Sequence, residues 1–318
     1  MSLFLSRPSS RRLLLVALLA AAACSPDGLT GPSGAEAGRA LANVVAGWRC
    51  DIPSYTPSRT VLGWNLDFED EFTDSELPNW NLWHGGAWNE EEQLYVPENV
   101  TAAAGGETGS GGLTIEVRKP EGGATGPTNP YDATPKEFKY TSGRIESKQL
   151  FALSRTRTKM RMLARIKFSD GGGMWPAFWS YGDPWPTKGE IDILEARGLQ
   201  SEGTSFSNQD QDQYQSAYWY GRRQGVNLVS TSPVTFITGV SLTSCYHVYE
   251  VTWEKNQLTF RFDGGAEQVI SGGYVPSMFG KQQKLVLNLA VGGVFFGSAY
   301  EVEPGSMKVD WVRVYSQR

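Results

Sequence analysis

Segments in which apolar and polar residues alternate one by one recur along this chain. Met160, Met162, Ala164, Ile166 and Phe168 alternate with Lys159, Arg161, Arg165 and Lys167, and Leu258, Phe260 and Phe262 alternate with Thr259, Arg261 and Asp263. Leu285, Leu287 and Leu289 repeat the pattern near the end. A period of two belongs to strands with one buried face, and the Gly, Pro, Asn and Asp residues between these segments form turns. No long stretch of helical period interrupts them. The pattern predicts an all-β fold, an antiparallel sandwich. Glycine-rich residues 122–127 and 171–173 read as loops, and the polar run 208–213 as a solvated one.

One segment breaks the alternation in an informative way. In Gly189-Glu190-Ile191-Asp192-Ile193-Leu194-Glu195, Glu190 and Asp192 share a face while Ile191 and Ile193 point the other way. Glu195 falls on the wrong parity. A β-bulge at Ile193-Leu194 would absorb one residue, bury both apolar side chains and return Glu195 to the face of the other two acids. Glu190 and Glu195 would then be about 13 Å apart at Cα, four steps of roughly 3.3 Å. Side chains reaching inward by roughly 4 Å each leave the carboxyls about 5 Å apart. That suits a retaining glycosidase, at about 5–5.5 Å, and is too short for an inverting one, at roughly 6.5–9.5 Å. Close carboxylates repel, and a fold keeps them together chiefly where their proton affinities must differ. Asp192, shorter and between them, is placed to hold a proton or support the nucleophile.

Composition narrows the ligand. A formal charge of −5 with no basic stripe argues against nucleic acid, and a neutral polysaccharide is compatible with it. Eleven tryptophans and thirteen tyrosines add weight, because aromatic faces stack on the apolar faces of sugar rings. With two histidines, His84 and His247, a histidine-rich metal site is not expected. G-x-S-x-G, H-E-x-x-H and phosphate-loop motifs are absent from the sequence.

Trp175-Pro176-Ala177-Phe178-Trp179, then Trp185-Pro186, then the bulged E-x-D-x-x-E of Glu190–Glu195 resemble glycoside hydrolase family 16, in its laminarinase-like branch. Similar pieces are Asp70-Glu71-Phe72, residues 89–95, residues 97–99, residues 140–144, residues 288–293 and residues 309–315, so that the resemblance covers about residues 60–316. It implies a jelly roll of two antiparallel sheets with a concave cleft, and a retaining endo-hydrolase or transglycosylase of β-linked polysaccharide. By motif position Glu190 resembles the nucleophile, Asp192 its supporting acid and Glu195 the general acid/base. Trp175, Trp179 and Trp185 resemble cleft tryptophans, and Asn89 and Arg144 polar cleft positions. Tyr218 stands where laminarinases usually carry a histidine, and residues 294–297 replace a tryptophan-containing loop, which weakens the case for β-1,3-glucan as against a galactan of agar or carrageenan type. A non-catalytic glycan-binding module is the further alternative. No cofactor is required, and a structural calcium at Glu71, Gly111 and Asp310 matches some members.

The N-terminal residues imply export. Arg7, Arg11 and Arg12 precede a short apolar run, and Ala21-Ala22-Ala23-Cys24 reads as a degenerate lipoprotein signal, with Ser10-Arg11-Arg12 faintly of twin-arginine type. The expected division is a signal at 1–24, a flexible linker at 25–45 and a catalytic domain at 46–318, monomeric and exported either as a cell-envelope lipoprotein, tied to a membrane only through lipid on Cys24, or as a secreted protein. Outside the cell Cys50 and Cys245 are candidates for one disulfide.

Overall fold

The computed structural model describes residues 58–105, 111–129, 131–168, 171–197, 211–295 and 302–318. The expected signal, linker, Cys24 and Cys50 lie outside the described residues. Cys245 is disulfide-bonded, to a partner that also lies outside them.

Two antiparallel sheets pack face to face as a jelly-roll sandwich. The eight-stranded sheet runs in the order Glu267–Ser271, Gln257–Phe262, His247–Glu254, Lys159–Phe168, Ser306–Gln317, Gly111–Glu116 and Val100–Ala104, with Asn65–Asp70 also paired to Ser306–Gln317. The seven-stranded sheet runs Val234–Ile237, Gln213–Trp219, Glu190–Ala196, Met174–Tyr181, Lys284–Val291, Arg144–Ser147 and Trp80–Leu82. The alternation explains the packing. Met160, Met162, Ala164 and Ile166 of one sheet join Phe178, Ile191, Leu285, Leu287 and Leu289 of the other in a single buried cluster. Each large apolar side chain so buried contributes about 1.5–3 kcal/mol. Val286, Asn288 and Ala290, on the opposite parity, are left for the far face of the seven-stranded sheet, and that face carries the site.

Two parts of the chain differ from their expected form. Residues 122–127, expected as a loop, lead into a hairpin in which Ala124–Asn129 pairs with Asp132–Phe138 outside both main sheets. Asp310, which breaks an apolar run, is skipped where Arg165 pairs with Trp311 and Ile166 with Val309. This second bulge lets Val309 and Val312 both face the core while the Asp310 carboxylate takes a hydrogen bond of 2.6 Å from Arg165. The Glu71 carboxylate likewise accepts from Arg313 at 2.7 Å. A cation between these two acids would therefore face two guanidiniums. Glu71 and Gly111 do touch through the main chain, since a Cβ on Gly111 would lie 2.2 Å from the Glu71 carbonyl oxygen.

Candidate active site

The acid strand Glu190–Ala196 begins at Gly189, whose φ of +87° is in the left-handed region. A Cβ there would lie 2.4 Å from the Met278 sulfur, so only glycine brings the chain into this strand. Against Met174–Tyr181 the register runs Tyr181 to Glu190, Trp179 to Asp192, Phe178 to Leu194 and Ala177 to Glu195, with Ile193 skipped. Against Gln213–Trp219 it slips between Asp192 and Glu195. The bulge thus lies at Ile193-Leu194, as the parity of the acids demands. Ile191, Ile193 and Leu194 are all buried in the core, and Glu190, Asp192 and Glu195 line one cleft of about 720 Å³ on the opposite face.

Each acid accepts from one indole. Trp185 donates to Glu190, Trp219 to Asp192 Oδ2 at 2.8 Å and Trp175 to Glu195 Oε1 at 3.1 Å. These bonds only partly offset burial. Burial and the charge of Glu195 push Glu190 up to about 8, and burial pushes Glu195 up to about 7 against the opposing effects of Trp175 and Arg197. Asp192, 4% exposed, is pushed well up by burial and then by both neighbours' charges. The trio takes up and releases protons as one unit, and near neutral pH it holds protons that isolated carboxyls would have lost.

Five of the six expected substrate-contacting residues line this cleft: Asn89, Arg144, Trp175, Trp179 and Trp185. Arg144 is 2% exposed. It bonds Glu146 at 2.7 Å and lies over the rings of Trp83 at 4.6 Å, Trp88 at 5.4 Å and Trp179 at 5.0 Å. Desolvated cation–ring contacts of this kind contribute up to about 2 kcal/mol. Trp179 donates to Asn288 Oδ1 at 2.7 Å. Trp175 stacks on Phe295 at 4.3 Å, and Arg197 lies over the Phe295 ring at 4.0 Å.

Tyr218 is the exception. It pairs with Ile191, belongs to the core cluster and accepts a hydrogen bond from the Tyr274 amide at 3.1 Å. Side chains on a strand alternate faces, so its neighbours Ala217 and Trp219 share the side of the acids, and Trp219 is the one that bonds Asp192.

A fourth cleft acid, Glu91, was not singled out from the sequence. It is 6% exposed, and its Oε2 accepts from Gln93 at 2.7 Å and from Tyr95 at 3.3 Å. Asn89, held at φ +64°, bonds it as well. Burial pushes Glu91 up to about 7 despite these donors and the nearby charge of Arg144, and its charge in turn raises Glu195. Asn288 Nδ2 donates to the Tyr95 hydroxyl at 3.0 Å. A hydrogen-bonded chain therefore runs Trp179, Asn288, Tyr95, Glu91 along one wall. The signal was present in the period-two parity of Glu91, Gln93 and Tyr95, hidden within Glu90-Glu91-Glu92.

Comparison with known proteins agrees with this geometry. A family model described as glycosyl hydrolases family 16 matches residues 97–313. Glucan endo-1,3-beta-glucosidase A1 of Niallia circulans is 27% identical over 296 residues, covering 84% of this chain and 40% of that protein. The beta-glucanase of Rhodothermus marinus is 28% identical over 301 residues, covering 86% and 92%. Among solved structures, the endo-beta-1,3-glucanase from Pyrococcus furiosus is similar with a TM-score of 0.59 at 28% identity, over 80% of this chain and 94% of that one. The chain thus spans less than half of the first of these relatives and nearly all of the other two.

Proposed function

The chain belongs to glycosyl hydrolases family 16, and from that premise we propose that it is a retaining endo-glycosidase that cuts β-1,3 linkages in laminarin-type glucans. The observation that carries the proposal is the bulged strand with Glu190, Asp192 and Glu195 on the cleft face, each under an indole. On the neighbouring strand the two glutamates are opposite Tyr181 and Ala177. That is four steps, about 13 Å at Cα, which supports the short carboxyl separation of a double displacement.

Two half-reactions follow. The Glu190 carboxylate attacks the anomeric carbon while Glu195 gives its proton to the departing glycosidic oxygen, leaving a glycosyl ester on Glu190. Glu195, now a carboxylate, takes a proton from water as the water oxygen attacks the same carbon. The ester breaks, Glu190 leaves as a carboxylate and Glu195 is again protonated. The productive form has one charge on the two glutamates, on Glu190, with Asp192 neutral. The raised proton affinities of Asp192 and Glu195 supply the two protons of that form, and because Glu190 is itself raised to about 8 in the empty cleft, the productive form is a minority among the coupled protonation states at neutral pH. Two inversions at one carbon return the β anomer, so NMR of fresh product should show β before mutarotation.

The lining does not favour sulfated galactan. Among the described lining residues four are acids, Glu91, Glu190, Asp192 and Glu195, and the one cation, Arg144, is bonded to Glu146. A binding module without turnover gains nothing from three mutually repelling carboxylates. Export, as a lipoprotein carrying lipid on Cys24 or as a secreted chain, belongs to the same proposal and is supported by the basic residues and short apolar run at the N-terminus.

The test is reducing-sugar release by the purified protein from laminarin, mixed-linkage β-glucan, agarose and carrageenan, with Glu190→Gln alongside. Release from laminarin that vanishes in Glu190→Gln is expected. Release from a galactan alone would keep the mechanism and overturn the substrate, and no release from any of the four would overturn the enzyme reading.

A further inference from the structure

Tyr131 sits at the tip of the hairpin formed by Ala124–Asn129 and Asp132–Phe138. It is 59% exposed, and it is the one aromatic among the large exposed apolar side chains of the described residues. It nevertheless lines the same cleft as the acids. Its ring centroid is 6.1 Å from that of Trp88, tilted by 57°, and Trp88 is 6.4 Å from Trp83. The three rings make a curved aromatic surface that continues onto the Arg144 guanidinium.

The hairpin is held near its tip in two ways. Gly86 donates its amide to the Pro127 carbonyl at 2.9 Å. A Cβ on Gly86 would lie 2.2 Å from the Thr128 oxygen, so this glycine is what lets the hairpin lie against the segment bearing Trp83 and Trp88. At the tip the Tyr131 amide bonds Asn129 Oδ1 at 2.9 Å and the Thr134 amide bonds Asp132 Oδ1 at 2.9 Å. Such side-chain turns hold a tip in one shape. The ring is therefore presented from a braced support, with one face open at the cleft mouth.

The strand of Arg144 is three places from the acid strand in the sheet, about 14 Å at about 4.8 Å per strand. A pyranose built from bonds of about 1.5 Å advances a chain by about 5 Å. The aromatic surface thus lies about three rings from the scissile bond.

We propose that Tyr131 and Trp88 form a distal stacking site for a further ring of the same polysaccharide, and that the hairpin thereby sets a preference for long chains. The proposal rests on the β-glucan reading. Its occupant is argued from continuity: the ring lines the cavity that holds the acids, and aromatic faces receive the C–H faces of pyranoses.

The experiment is kcat and KM on oligosaccharides lengthened one ring at a time, drawn from whichever β-glucan the wild type cuts, for wild type, Tyr131→Ala and Tyr131→Phe. Tyr131→Ala is expected to raise KM about three- to tenfold on the longest members and to leave the shortest unchanged, with Tyr131→Phe close to wild type. An equal loss at every length would assign Tyr131 a merely structural role, and an unchanged length profile would remove the stacking site. Both outcomes overturn the inference while the enzyme remains active. A wild type inactive on every β-glucan overturns the underlying reading instead, and the inference with it.

Discussion

Trp219 donates its indole N–H to Asp192 at 2.8 Å across neighbouring strands, while Tyr218, one residue earlier, turns its hydroxyl the other way to the amide of Tyr274. The two aromatic residues should therefore separate function from stability. Trp219→Phe removes a donor from the carboxyl between the two glutamates and is expected to lower kcat about tenfold or more, with a small change in melting temperature. Tyr218→Phe removes one partly buried hydrogen bond and is expected to cost about 1 kcal/mol of stability with kcat/KM unchanged. Paired kinetics and thermal melts check both, and the reverse pattern would put Tyr218 back in the cleft.

The alkaline side of the activity profile should report Glu195. Its raised proton affinity, to about 7, comes from burial with a further push from the charge of Glu91. In Glu91→Gln that charge is gone while Gln93 and Tyr95 keep an oxygen to bond. Glu195 then loses its proton more easily, and the alkaline limb of kcat/KM is expected to move to lower pH. A limb that stays in place, measured with a substrate far below KM, would separate Glu91 from the acid/base.

Gathering acids in a buried cleft also sets how stability depends on pH. A carboxyl whose proton affinity is higher in the folded chain binds more protons folded than unfolded, so its contribution is most favourable at low pH and is lost as pH rises from the ordinary carboxyl range, about 4, through the folded value. For Glu190 that window ends at about 8, and for Asp192 the shift has the same sign. Glu190→Gln should therefore be more stable than wild type at pH 8, by about 1–3 kcal/mol, with the difference shrinking toward pH 5. Denaturant melts across this range decide it; a gap that grows toward low pH would contradict the sign.

Gly189 is expected to be as unforgiving as the acids. Gly189→Ala must place a Cβ at φ +87° and 2.4 Å from the Met278 sulfur. A cost of about 1–3 kcal/mol is expected, together with a fall in kcat larger than any rise in KM, since Glu190 is the next residue. Equal stability and rate in this variant would show that the entry to the strand is adaptable.

The period-two alternation made the two sheets legible, because a buried face on a strand has no other periodicity. It also made the acid strand legible, since Glu195 off parity admits few remedies other than a bulge. The same logic was available for Gln213–Trp219 and would have corrected Tyr218. Gln213 and Gln215 mark the polar parity, and Trp219 shares it whereas Tyr218 does not. The Tyr218 expectation came from motif position, which carries no information about facing. Glu91 was hidden for a different reason: in a run of three glutamates, only the surrounding turn decides which one points inward, and that turn is set by Asn89 and Glu90 at positive φ. The hairpin bearing Tyr131 was obscured by its glycines and prolines, which ordinarily mark loops; here Gly126 leaves room for the Leu94 side chain, which a Cβ would meet at 2.5 Å.

The bulge at Ile193-Leu194 has a consequence for how this chain compares with its kin. It is one residue in excess of what the ladder needs, and it sits between the second and third acids. A chain lacking that residue would present its last glutamate to the cleft by plain alternation, with the same neighbours opposite. This segment can therefore gain or lose one residue over descent while the chemistry stays assembled. A relative lacking that residue would have its third acid misplaced if matched to this chain by residue count alone, whereas matching by the face each side chain occupies would align it.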